Sequence, residues 1–183
     1  MLAERGLRAT FFVVGEQLRA HRALAERAHA DGHWIGNHTL THPRPLGGAG
    51  PDVVREIEAT QRELGALVHP DRLFRPSGEG GDLEPGLLNE AAVDALVRGG
   101  YTCVLWNAVP GDWRDPDGWV ETALRQVAAQ DWTLLVLHDV PGAAAARLGE
   151  FLDRVEAEIV QELPPACVPI VRGRVTGSLA ALM

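Results

Sequence analysis

Cysteine is scarce: the 183 residues contain two, Cys103 and Cys167, and neither lies in a CxxC pair. Two ordinary thiols are the reading, rather than a disulfide framework or a cysteine zinc site. Positive charge is also short. Lys plus Arg number 17 against 25 Asp plus Glu, a net charge of −8 with His neutral. That balance argues against nucleic-acid binding, which runs on basic patches, and against adhesion to an anionic membrane. Long apolar runs are missing; none approaches the ~20 residues needed to span a bilayer. The opening MLAERGLRATFF lacks the basic–apolar–small order of a secretory leader, and the compartment stays unassigned.

What is present is ordinary globular composition, 46% hydrophobic and 23% charged, in a length suited to one compact domain over residues 1–183. Apolar runs alternate with amphipathic stretches. Strand candidates are Arg8–Val14, His33–Ile35, Arg72–Phe74, Tyr101–Trp106, Trp132–Leu137 and Val168–Val171. Helix candidates are Glu16–Ala30, Asp52–Val68, Leu87–Arg98, Asp117–Ala129 and Ala144–Gln161. Repeated strand–helix units imply parallel strands, in an open sheet or a barrel. Met1–Leu7 reads as the end of a helix stopped by Gly6. The expectation is a chain that starts inside a longer domain; a short first helix is the alternative.

Four constellations carry chemistry. In Asn37-His38-Thr39-Leu40-Thr41-His42-Pro43, His38 and His42 are four apart, so a helical turn would place both imidazoles on one divalent ion. The spacing alone is cheap, since His29 and His33 repeat it. In Leu135-Val136-Leu137-His138-Asp139, a histidine follows a buried-type strand, where sites form in parallel α/β folds. Phe74-Arg75-Pro76-Ser77-Gly78 places a guanidinium after a short apolar run, suited to orient a carboxylate. Gly111-Asp112-Trp113 offers an acid to fix a histidine tautomer and an indole to stack on a sugar. Each signal also fits an exposed or turn-capping residue. All follow strand candidates in order, so parallel strands would bring them to one rim.

With these residues in place, the chain resembles the polysaccharide deacetylase family, the NodB homology domain of carbohydrate esterase family 4. ATFFVVG, Ala9–Gly15, looks like the family's second-strand sequence. HTLTHP matches the H-[S/T]-x-x-H metal motif at His38 and His42, and FRPSG the R-x-P motif at Arg75. GDW resembles the D-W motif at Asp112 and Trp113, and VLHD the final L-x-H motif at His138. The resemblance implies an α/β fold, a distorted (β/α) barrel of the NodB type, here lacking its first strand. It implies a divalent metal, usually zinc, held by His38, His42 and an Asp. It makes His138, Asp112 and Arg75 catalytic: His138 protonates the leaving group, Asp112 orients His138, and Arg75 orients the base. Trp113, Ser77 and Gly78 become substrate-binding, with a backbone N–H of the glycine-rich loop facing the oxyanion.

The family's first motif, T-F-D-D-G-P, supplies the base and the third metal ligand, and this sequence does not contain it. The expected function is therefore metal-dependent deacetylation of an acetylated carbohydrate, with the chain as written inactive or nearly so. Alternatives are a non-catalytic carbohydrate-binding domain and a C–N hydrolase acting on small amides. The expected partner is a carbohydrate, with neither nucleic acid nor a membrane-spanning segment. A missing first strand would leave backbone edges open, through which two copies could dimerise.

Overall fold

The structure, a computed structural model, describes residues Met1–Met183. Six strands form one sheet in the order β1 (Thr10–Val13), β2 (Trp34–Asn37), β3 (Leu73–Phe74), β4 (Thr102–Cys103), β5 (Ile170–Val171) and β6 (Arg174–Val175). The first four run parallel, with Phe11 opposite Ile35 and Phe74 opposite Cys103. β5 turns antiparallel to β4, and β6 to β5. The sequence read Val168–Val171 only as a last short strand; its direction and the β6 hairpin are additions. Arg172 and Gly173 both have positive φ, 47° and 77°, the two-residue turn that matches the twist of paired antiparallel strands.

Helices cover the crossovers: α1 (Gly15–Ala20), α2 (Arg22–Ala30), α3 (Val53–Leu64), α4 (Glu90–Arg98), α5 (Trp119–Ala128) and α6 (Leu148–Arg154). α3 buries Val53, Ile57, Thr60 and Leu64 at helical spacing and ends at Gly65, whose φ is +55°. Asn89 caps α4 by accepting from the Ala92 amide. The largest core cluster packs α3 and α4 against Phe74, Cys103 and Ile170 of the sheet and Leu105 just beyond β4. A second joins Leu18 and Ile35 to Leu64, and a third joins Trp119 of α5 to Phe151 of α6. Both cysteines are free and buried, and burial pushes the Cys103 thiol up to about 12.

Three expectations need correction. The helix expected over Ala144–Gln161 ends at Arg154, because the apolar residues beyond it, Ile159 and Val160, find no surface to cover them. The strand expected over Trp132–Leu137 touches its neighbour at one bridge, Leu135 beside Ala108, and is half-exposed because nothing pairs with its other side. The helix expected over Glu16–Ala30 breaks at His21 into α1 and α2. β1 ends the sheet, and its four residues are half-exposed.

Candidate active site

Parallel strands share a carboxyl-end rim, and the candidate side chains lie on segments that leave it. His38 follows β2 directly and Arg75 follows β3. Asp112 lies on the loop after β4, and His138 follows the bridged segment at Leu135.

His38 and His42 meet edge to face with ring centroids 4.8 Å apart. They do so without the helical turn that their spacing suggested. Residues 38–42 are a loop in which Thr39 and His42 adopt positive φ, 68° and 61°. Buried Asn37 starts it, its side-chain oxygen accepting from the Thr39 amide at 2.9 Å. Left-handed backbone at a β-branched residue costs about 1–3 kcal/mol and persists only where surrounding bonds fix it.

The tautomers follow from the partners. His38 Nδ1 sits 2.9 Å from the Arg75 carbonyl, so Nδ1–H donates and Nε2 keeps its lone pair. Arg44 Nε donates to His42 Nδ1 at 3.2 Å, so here the His42 proton sits on Nε2. Burial lowers the His38 pKa to about 3, with the charges of His42, Arg75 and His138 adding to the effect. Burial, then Arg44, lowers His42 as well. Both rings are therefore neutral at neutral pH, as ligands must be.

His138 carries the second half of the site. Its Nδ1 lies 2.9 Å from Asp112 Oδ1, and its amide donates to Oδ2 at 2.8 Å. The Ala144 amide also reaches Oδ2, at 3.2 Å. Asp112 is wholly buried, while the His138 ring stays partly open to solvent. The carboxylate thus fixes the proton on Nδ1 and leaves Nε2 free of any internal hydrogen bond. Trp113 packs against the His138 ring with centroids 4.4 Å apart. His138 is close enough for its charge to act on both His38 and His42.

Arg75 is buried beneath this group. Its guanidinium stacks on the Phe12 ring at 4.2 Å and donates to the Val104 and Leu105 carbonyls, 3.3 Å each. No carboxylate pairs with it, and burial lowers it to about 10, still protonated at neutral pH. Ser77 is fully buried and spends its hydroxyl on the Pro43 carbonyl, fastening one loop to the other. Neither the Ser77 nor the Gly78 amide is used in an internal hydrogen bond, so any role at an oxyanion falls to those N–H groups.

As a metal site the donor set is partial. Two imidazoles converge, which fits two positions of a divalent ion. No third His, Cys, Asp or Glu side chain stands with them in a geometry that could hold an ion.

Sequence reasoning missed Glu56, Asn37, Arg44 and Phe12. Glu56 was legible in principle, as a charged residue on the buried stripe of α3, three positions after Val53.

Residues 1–104 match the family model described as polysaccharide deacetylase. A chitooligosaccharide deacetylase of Rhizobium leguminosarum bv. trifolii is 31% identical over 147 residues, 76% of this chain and 62% of the relative. The chain thus spans about three fifths of that curated relative. Among solved structures, the Bc1960 peptidoglycan N-acetylglucosamine deacetylase superposes with a TM-score of 0.71 at 23% identity, over 91% of this chain and 77% of that one. A family 4 carbohydrate esterase from Streptomyces lividans, in complex with acetate, gives 0.65 at 26% identity over 82% and 73%.

Proposed function

Because this chain belongs to the polysaccharide deacetylase family, we propose that it serves hydrolytic removal of acetyl groups from an N- or O-acetylated carbohydrate, an amino-sugar polymer of the peptidoglycan or chitin type. The observation that carries the reading is the Asp112–His138 pair, set beside Trp113 and near enough to two neutral imidazoles for its charge to act on them. The relatives' names, chitooligosaccharide and peptidoglycan deacetylase, support the substrate class.

His38 and His42 would hold a divalent ion, zinc in this proposal, once Arg44 releases the His42 ring. Such an ion supplies polarisation of an acetyl carbonyl and a lowered pKa for water. The chain's own residues do the rest. His138, protonated at Nε2, delivers a proton to the departing amine or alkoxide, while Asp112 holds Nδ1–H and stabilises the charged ring. The exposed part of Trp113 offers a face to a sugar ring. Arg75 presents a buried positive charge to an anionic group at the rim.

With two imidazoles and no carboxylate, the ion is held weakly, and no side chain here stands as the base. Acetate release by these 183 residues is therefore slow, ~10²–10⁴ below a site with a positioned base. The test is acetate release from acetylated chitooligosaccharides, acetylxylan and peptidoglycan, with zinc and with chelator. A low rate that zinc raises and His138→Ala abolishes supports the proposal. No acetate from any substrate in the presence of zinc contradicts it.

The incomplete donor set favours one second reading, a non-catalytic carbohydrate-binding domain. Glycan binding that survives chelator, without acetate release, selects it. The proposal extends to a second copy of the chain as partner, pairing along the open edge of β1.

A further inference from the structure

The geometry points to Glu56 as a positioning residue for the His38–His42 pair. The inference rests on reading that pair as part of the site.

Every backbone N–H from His38 to His42 has a partner. His38 donates to the Val13 carbonyl, Thr39 to Asn37 Oδ1 and His42 to Thr39 Oγ1. The two in the middle, Leu40 and Thr41, both donate to Glu56 Oε2, at 2.9 and 2.8 Å. Thr41 Oγ1 donates to Oε1 at 3.0 Å. One carboxylate thus holds the centre of the loop by three bonds, and it is the only charged group that does so. The loop carbonyls are held from the other side, Thr39 O and Leu40 O accepting from the Gly15 and Glu16 amides of α1.

Glu56 is 5% exposed, and its carboxylate accepts from Leu40 and Thr41 of the loop. A carboxylate buried on the apolar stripe of a helix is costly unless hydrogen bonds satisfy it. All three of its bonds go to the histidine loop. Thr39 and His42, the residues with positive φ, bracket the two amides it holds. The carboxylate therefore supplies the restraint that keeps a strained loop in the one conformation where the rings stand edge to face.

Glutamine keeps an acceptor for both amides, and its NH₂ can face the Thr41 hydroxyl, which rotates to accept. Alanine removes all three bonds. Aspartate keeps the charge but draws it back by one methylene, out of reach of both amides at once. The test reads the metal-free protein first, by ¹⁵N-histidine spectra and inter-ring proton contacts between His38 and His42, then titrates Co²⁺. Glu56→Ala is expected to lose the inter-ring contacts and to bind Co²⁺ at least tenfold more weakly. Glu56→Gln is expected to keep the contacts and stay within threefold of the parent. If Glu56→Ala does not fold, Glu56→Asp carries the test, with altered ring contacts and weaker Co²⁺ uptake expected. Unchanged ring contacts in whichever of the two folds, even with a lowered melting temperature, reduce Glu56 to a structural role and overturn the inference. The underlying site reading fails separately, if His38→Ala takes up Co²⁺ as the parent does.

Discussion

Asp112→Asn separates the account from a generic one, because the buried carboxylate does three things at once. Oδ2 accepts from the His138 and Ala144 amides, and Oδ1 holds the ring proton of His138. Asparagine has one oxygen. Turning it to the two amides preserves two bonds and points the NH₂ at the ring, so the imidazole must accept at Nδ1 and move its proton to Nε2. The opposite rotamer saves one bond and sets an NH₂ against two N–H donors, so it loses. The cost is one charge-assisted bond of about 1.5–3 kcal/mol exchanged for a neutral one of about 0.5–1.5 kcal/mol. The net loss is about 1–2 kcal/mol, or about 2–8 °C in melting temperature for a domain of this size. Asp112→Ala should lose more, about 3–5 kcal/mol, because both amides stay buried without a partner. Long-range ¹H–¹⁵N spectra read the tautomer directly. The expectation is Nδ1–H in the parent and Nε2–H in Asp112→Asn, with proton delivery slowed by about 10²–10⁴. If the variant keeps its proton on Nδ1, the role given to Asp112 is wrong.

Arg44→Ala should bind Co²⁺ or Zn²⁺ about two- to tenfold more tightly by calorimetry, because it frees His42 Nδ1 and removes a nearby positive charge; weaker binding would count against the tautomers. In chelator, stability should fall as pH drops. The folded pKa of His38 is lowered to about 3 against 6.5 unfolded, so the unfolded chain binds the proton first. The loss begins near 6.5, proceeds toward 3 at no more than about 1.4 kcal/mol per pH unit, and shows in denaturant midpoints that His38→Gln flattens. The open edge of β1 should make the chain self-associate, and Thr10→Lys should weaken this on size exclusion; monodisperse monomer at high concentration contradicts it.

Much of the rim was legible because parallel strands make sequence order into spatial order. Residues that follow β2, β3, β4 and the Leu135 segment had to share one end, whatever the helices did. Local periodicity failed where tertiary partners decided the outcome. The histidine spacing suggested a helical turn, yet Asn37, Glu56 and the α1 amides impose a loop with two positive-φ residues. Residues 132–137 look like a strand, but pairing on one side yields a single bridge. Ser77 reads as a site residue from its motif, while its hydroxyl serves Pro43. Glu56 was hidden because a glutamate in a helix usually faces water, and only the buried stripe around it says otherwise.

The central claim is that His38 and His42 hold an ion at the strand tips, with His138 close beside it. Adding Co²⁺ to ¹⁵N-histidine-labelled protein tests it most directly. The account predicts that the ring signals of His38, His42 and His138 shift or broaden together, while His33 and His69, at the opposite ends of β2 and β3, stay sharp. A His138 signal left untouched while His38 and His42 respond would contradict it.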